Sequence, residues 1–165
     1  MLTSLNRLIG MPVVWEDKRL GYVERGVTDD AVHRLRGVVI RKGIGAARWI
    51  PAQAMKLVGT RCVLLQSGPH PMPEEKRTQL GQVRLTTGER LGQVTDGWLN
   101  GLTFRVLALE VSPGPLYRLL GKCAYAAEYR VIRTGANSGE VVVPKLQTWA
   151  EVQRSIGEEG GEWAL

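Results

Sequence analysis

The chain has 165 residues, of which 44% are hydrophobic and 23% are charged. This is the composition of a globular protein with a core, and it excludes a wholly disordered chain. No apolar run reaches the ~18 residues of a membrane-spanning helix, and the first residues lack the pattern of a secretory signal. We therefore expect a cytoplasmic protein that does not insert into a membrane.

An internal repeat divides the chain into two copies of one small module. Residues 18–26 (KRLGYVERG) and residues 89–97 (ERLGQVTDG) share the pattern R-L-G-x-V-x-x-G at an offset of 71 positions. The same offset aligns Arg34 with Arg105 and residues 35–40 with residues 106–111. A constant offset at several separated positions indicates a duplication.

The repeat and the composition together predict the domain organisation. We expect a first module at 1–67, a Pro-rich linker at 68–76, a second module at 77–147, and a C-terminal helix with an acidic tail at 148–165. Proline lacks a backbone N–H group and has a fixed φ, so the linker cannot lie inside a sheet.

Short apolar runs between turn residues predict the strands of each module. The predicted strands are Met11–Trp15, Arg19–Val23, Arg34–Ile40, Cys62–Leu65, Gln82–Leu85, Arg90–Val94, Leu102–Val111 and Val141–Val143. The Asn100-Gly101 pair before the longest run is a strong hairpin signal. A module of this size would leave many unpaired edges as an open sheet. We therefore expect a mostly β protein, built of two small closed antiparallel β-barrels in tandem.

Two short helices are predicted in the second half of the chain. Pro115 and Gly121 bracket a helix whose Leu116, Leu119 and Leu120 follow i, i+3, i+4 spacing, so we expect these leucines to face the barrel or the other module. Thr148 and Glu151 form a capping box that begins a C-terminal helix, which Gly157 can end.

The side chains on one face of the C-terminal helix form the first predicted interaction site. Trp149, Val152 and Ile156 share this face at i, i+3, i+7. A helix this short is marginal alone, so this face docks either on its own barrel or on a partner.

No constellation of residues in the sequence predicts chemistry. His33 and His70 lack metal-ligand spacing, and Cys62 and Cys123 are expected to be free core residues. Glu110 lies in an apolar run, either as a reactive carboxylate or on the solvent side of a strand. We therefore predict no catalytic residues, no metal, no cofactor and no enzymatic activity.

Charge gives the second predicted interaction site. The net charge is +6; residues 1–67 hold 11 Lys and Arg against 5 Asp and Glu, and the remainder holds 11 of each sign. The candidate residues for binding a polyanion or an acidic partner bracket one strand and the loop after it: Arg34, Arg36, Arg41, Lys42 and Arg48. Trp49 beside them can stack on a base or pack in the core.

The chain resembles the PRC-barrel family in three places. Residues 8–23 (LIGMPVVWEDKRLGYV) are similar to the family's opening strands, and residues 48–64 (RWIPAQAMKLVGTRCVL) to its closing I-P-x-x-x-I segment. Residues 114–122 (GPLYRLLGK) are similar to a loop of small sporulation-associated members. The second module departs from the family at residues 124–133 (AYAAEYRVIR), where no I-P motif stands.

The resemblance implies a small β-barrel like those of the photosynthetic reaction-centre H subunit and the ribosome maturation factor RimM. Those relatives are adaptors, so the expected function is a non-catalytic adaptor or scaffold with a protein partner. The alternative is an RNA- or ribosome-associated factor that uses the basic residues of the first module. Self-association stays open, and the sequence does not identify the partner.

Overall fold

A computed structural model describes residues 1–74 and 79–159, and the described chain is mostly β with short helices. Its contacts group into two compact units. Unit 1 comprises residues 1–74 and 98–106, and unit 2 comprises residues 79–97 and 107–159. Residues 160–165 of the predicted acidic tail and the last two residues of the predicted linker lie outside the described residues.

Unit 1 is built around a six-stranded sheet. Its elements in chain order are β1 (Leu2–Ser4), α1 (Leu5–Leu8), β2 (Pro12–Trp15), β3 (Lys18–Thr28), β4 (Leu35–Arg41), β5 (Arg48–Pro51), a 3-10 turn (Ala52–Ala54), β6 (Met55–Val58) and β7 (Val63–Leu65). The strand order is β5-β4-β3-β2-β7-β6. The buried core includes Leu8, Val13, Val38 and Ile40.

Unit 2 contains the second sheet and two helices. Its elements are β8 (Gln79–Leu85), β9 (Arg90–Asn100), β10 (Val106–Ser112), α2 (Pro115–Leu119), β11 (Ala124–Ala126), β12 (Arg130–Arg133), β13 (Ser138–Val143) and α3 (Trp149–Glu159). The strand order is β11-β10-β9-β8-β13-β12. The last three residues of β9 belong to unit 1, where they pair with β1.

The two sheets have the same strand order, as the predicted duplication requires. Each strand from β2 to β7 has its counterpart in β8 to β13 at the same place in the sheet, and β4 and β10 are offset by 71 positions at both ends. The divergent segment 124–133 supplies β11 and β12 where unit 1 has β5 and β6. The tandem arrangement of two curled sheets is therefore confirmed.

The sheets are not wholly antiparallel, contrary to the prediction. In each sheet one pair is parallel, β2 with β7 and β8 with β13. Parallel neighbours need a long crossover, and the intervening strands of each copy provide it. Among residues 1–74 and 79–159 no ladder joins β5 to β6. The 3-10 turn joins these two strands, and full closure of the barrel stays a prediction.

The predicted strands are present, but the strand after Asn100-Gly101 begins later than expected. β10 starts at Val106, and Leu102 is exposed in the preceding loop. The Asn100 side chain explains the difference, because its Oδ1 accepts the N–H groups of Leu102 (2.8 Å) and Thr103 (3.0 Å). These bonds hold a wider loop in place of a two-residue hairpin turn.

Equivalent positions of the two copies meet inside unit 1. The N–H of Leu35 donates to the carbonyl of Phe104 (2.8 Å), and the N–H of Val106 donates to the carbonyl of His33 (2.9 Å). His33 and Phe104 are 71 positions apart, as are Leu35 and Val106. The repeat therefore pairs with itself across a local antiparallel bridge.

Two equivalent glycines explain why the repeat motif contains L-G. A Cβ at Gly21 would lie 2.7 Å from the carbonyl oxygen of Arg41, and one at Gly92 would lie 2.3 Å from that of Ser112. Arg41 and Ser112 are also related by the offset of 71. The backbones of adjacent strands thus approach more closely than any side chain allows.

We therefore predict that Gly21→Ala and Gly92→Ala each lower the free energy of unfolding by about 1–3 kcal/mol, measured by urea denaturation. Gly114→Ala is the matched control, because a Cβ there meets nothing within 4 Å. If Gly21→Ala and Gly92→Ala were as stable as the control, the close approach of these strands would be refuted.

Candidate functional site

The structure separates the five predicted basic residues into two groups. Arg34 and Arg36 are exposed at the start of β4, whereas Arg41 and Lys42 are exposed at its end, near the half-buried Arg48. Five residues of strand span ~17 Å between Arg36 and Arg41. The predicted patch is therefore not one continuous surface, but two clusters at opposite ends of a strand.

The arginines at the end of β4 are engaged within the fold. Arg41 forms an ion pair with Glu24 (3.2 Å), and its Nη1 donates to the carbonyl of Gly45 (2.9 Å). Arg48 donates from Nη2 to the carbonyl of Leu20. A guanidinium that already holds a loop or a strand end has fewer donors left for a ligand.

At the start of β4 a bulge directs Arg36 outward. Thr28 pairs with Leu35 and Val27 pairs with Gly37, so Arg36 is the extra residue of the register shift. Simple alternation would place Arg36 on the face of the buried Val38 and Ile40. The bulge shifts this alternation, so that Arg36 is exposed while Leu35 is buried.

Arg34 and Arg36 line a depression of about 600 Å³ in unit 1. Other residues that form its wall include Asp29, Trp49, Pro51, Gln53 and Phe104. Trp49 is 7% exposed, so it packs mainly in the fold and presents only a small part of its surface. The volume lies within the range of ligand pockets, about 300–1,000 Å³.

Arg105 is a basic residue that the sequence reasoning did not place at this site. It lies opposite Arg34 in the antiparallel bridge. Only their neighbours exchange backbone hydrogen bonds, so the two arginines form a non-hydrogen-bonded pair with side chains close together on one face. The signal was in the repeat, because Arg34 and Arg105 are equivalent positions.

The C-terminal helix α3 docks on its own unit. The rings of Trp149 and Tyr125 lie 5.0 Å apart, Val152 is fully buried, and Ile156 is half-buried. The helix continues through Gly157 to Glu159, contrary to the predicted end. The sequence left open whether this face docks on its own barrel or on a partner. The described contacts are those of docking on unit 2.

The predicted capping box is present at the start of α3. The N–H of Thr148 donates to Oε2 of Glu151 (2.6 Å), and the N–H of Glu151 donates to Oγ1 of Thr148 (3.3 Å). The Thr148 bonds, chiefly that from its backbone N–H, lower the pKa of the Glu151 carboxyl.

Glu110 belongs to a half-buried polar cluster in unit 2. Its Oε1 accepts from Oγ1 of Thr95 (2.9 Å) and from Sγ of Cys123 (3.5 Å). Burial, and then the negative charge of Glu110, raise the pKa of the Tyr125 phenol. These bonds tie β9, β10 and the segment before β11 together.

Leu116, Leu119 and Leu120 in and directly after helix α2 are exposed, so the prediction that they face their own barrel is wrong. They are 71%, 84% and 69% exposed, and Tyr117 is 49% exposed. The i, i+3, i+4 spacing correctly predicts that these side chains share one face, but it does not predict what covers that face.

A cleft of about 1270 Å³ lies beside α2 in unit 2. Its lining is mixed: Arg90, Gln93 and Ser112 contribute polar groups, whereas Leu91, Pro113 and Leu119 contribute apolar surface.

Two other kinds of site are absent from the described part of the chain. Among residues 1–74 and 79–159, no three His, Cys, Asp or Glu side chains converge as metal ligands would. No helix in these residues combines the length and the apolar character needed to cross a membrane.

Comparison with known proteins does not assign a family. No protein-family model matches the chain, and no curated protein matches it significantly. The resemblance to PRC-barrels stays a prediction.

We predict that the capping box weakens in acid. Because the pKa of Glu151 is lower in the folded protein, its contribution to stability is complete above the ordinary Glu value of about 4.5 and is lost as the pH falls through the lower, folded value. The backbone amide shift of Thr148, followed by NMR, should titrate with a midpoint below 4.5.

The matched variant is Glu151→Gln, which keeps a capping side chain but has no carboxyl to titrate. In this variant the acid step of the Thr148 amide should disappear. A midpoint at or above the ordinary Glu value in the wild-type protein would contradict the capping assignment.

Proposed function

We propose that the protein is a non-catalytic adaptor and that helix α2 is its main contact with a protein partner. The supporting observation is the exposure of Leu116, Tyr117 and Leu119 on one five-residue helix, and of Leu120 directly after it. Soluble proteins leave such clusters exposed chiefly where another molecule covers them.

The shape of α2 favours a concave partner. The helix spans only ~7.5 Å, and at 3.6 residues per turn its exposed apolar residues cover an arc of about 160° on one side. A groove can contact the whole of such a wide arc, whereas a flat lipid surface contacts only its middle. Aromatic and apolar side chains that fill a partner's pocket dominate protein interfaces.

The charges around α2 indicate the rim of the partner's groove. Residues 111–127 contain Arg118 and Lys122 and no Asp or Glu. A groove with acidic residues at its rim complements this segment and would steer the encounter. A second copy of this chain that docked through the same segment would bring like charges together, which is unfavourable.

Further parts of the proposal are a PRC-type closed barrel in each unit, the absence of turnover and a cytoplasmic location. The shared strand order supports one barrel type for both units. The free cysteines Cys62 and Cys123 are typical of a reducing compartment.

The test replaces the three exposed leucines of α2. The triple variant Leu116→Ser, Leu119→Ser, Leu120→Ser should unfold within about 0.5 kcal/mol of the wild type, because these side chains are already in water. A photo-reactive amino acid at Tyr117 identifies the partner in cells. Calorimetry with that purified partner should then show binding to the wild type and at least a tenfold weaker affinity for the variant.

The control removes exposed apolar side chains elsewhere. Ile44→Ser and Ile132→Ser, at sites 107% and 52% exposed, should keep full affinity. Binding to vesicles of phosphatidylcholine and phosphatidylglycerol tests whether α2 contacts lipid instead. Sedimentation of the protein alone tests whether it contacts a second copy of this chain. The proposal would be refuted if the wild type bound vesicles or itself through these leucines and did not bind the purified partner.

A further inference from the structure

Three arginines meet in unit 1 without a partner for their charges. Arg34 and Arg105 oppose each other in the antiparallel bridge, and Arg36 lines the same depression as Arg34. Among residues 1–74 and 79–159, none of these three guanidinium groups forms an ion pair or a hydrogen bond. Arg41 and Arg48, in contrast, are both engaged.

The pairing of Arg34 with Arg105 costs stability unless an anion is present. Side chains of a non-hydrogen-bonded pair lie close together on one face of the sheet, and like charges placed directly opposite repel. A bound anion would convert this repulsion into two charge-assisted contacts. Arg36, which is the extra residue of the bulge, adds the N–H donors of a third guanidinium group nearby.

Asp29 is the one carboxylate of the described lining, and it serves another purpose. Its Oδ1 accepts the N–H groups of His33 (2.7 Å) and Arg34 (3.2 Å), so it fixes the turn that positions Arg34. The three arginines and Asp29 together leave a local charge of about +2, which favours an anion.

The number of donors favours a phosphate over a carboxylate. Three guanidinium groups offer more N–H donors than the two oxygens of a carboxylate accept, whereas a phosphate group presents its oxygens in several directions. Next to the arginines, Phe104, Pro51 and the exposed part of Trp49 form an apolar part of the wall. A flat ring fits against such a wall.

The geometry points to a binding site for the phosphate group of a nucleotide, either free or within single-stranded RNA. Arg34 and Arg105 hold the phosphate between them, Arg36 contacts it from the strand bulge, and the ring lies toward Phe104 and Pro51. This site uses unit 1 and is independent of the proposed contact through α2.

The experiment titrates the full chain with three probes: inorganic phosphate, adenosine 5′-monophosphate and an eight-nucleotide uridine RNA. Calorimetry and the NMR signals of the arginine Nε–H groups should show binding of the nucleotide more tightly than of inorganic phosphate. Arg34→Gln and Arg105→Gln should each weaken binding at least tenfold. Each should also lower the slope of log affinity against log salt concentration by about one. If the RNA binds more tightly per phosphate group than adenosine 5′-monophosphate, the ligand of this site is single-stranded RNA. If the two bind equally per phosphate group, the ligand is the free nucleotide.

The matched control is Lys42→Gln, which removes one positive charge at the other end of β4 and should leave affinity unchanged. Without ligand, Arg105→Gln should not lower the thermal midpoint, because it removes a repulsion. The inference is overturned if no probe binds, if Lys42→Gln weakens binding as much as Arg105→Gln, or if a hexaglutamate peptide binds more tightly than the nucleotide.

Discussion

The pair of backbone hydrogen bonds between residues 33–35 and 104–106 is the contact on which the cationic site of unit 1 depends. The donors are the N–H groups of Leu35 and Val106, and the acceptors are the carbonyls of Phe104 and His33. Because these positions are equivalent in the two copies, any residue at the central position meets its own counterpart. That position is occupied by arginine in both copies, so a favourable main-chain contact enforces an unfavourable side-chain one.

Net charge alone did not identify this place. The excess of positive charge in residues 1–67 predicted a broad patch, yet Arg41 and Arg48 are used by Glu24, Gly45 and Leu20 inside the fold. Arginines that are bound to carbonyls or carboxylates count fully in the net charge but offer little to a ligand. What distinguishes a binding surface is the number of donors left without a partner, and that depends on register and loop geometry.

Features that depend on short-range chemistry could be predicted from the sequence, whereas those that depend on register could not. The repeat, the strand positions and the capping box of Thr148 and Glu151 all follow from local patterns. The bulge at Arg36, which shifts the register of β4 against β3, is predicted by no residue type. The exposure of Leu119 depends on the path of a segment in the second copy that has no equivalent helix in the first.

The two copies differ most in the connection after the third strand of each sheet in chain order. In unit 1 the exposed residues 42–46 begin the short link from β4 to β5, whereas in unit 2 residues 113–123 join β10 to β11 and include α2. Hairpin connections tolerate insertions because their backbone is already in water. Duplication therefore preserved the glycines and the strand order, which both sheets need, and left one loop free to acquire an apolar protrusion. The proposed protein contact lies in that loop, while the arginine cluster lies where the copies stayed alike, so the two surfaces can change independently.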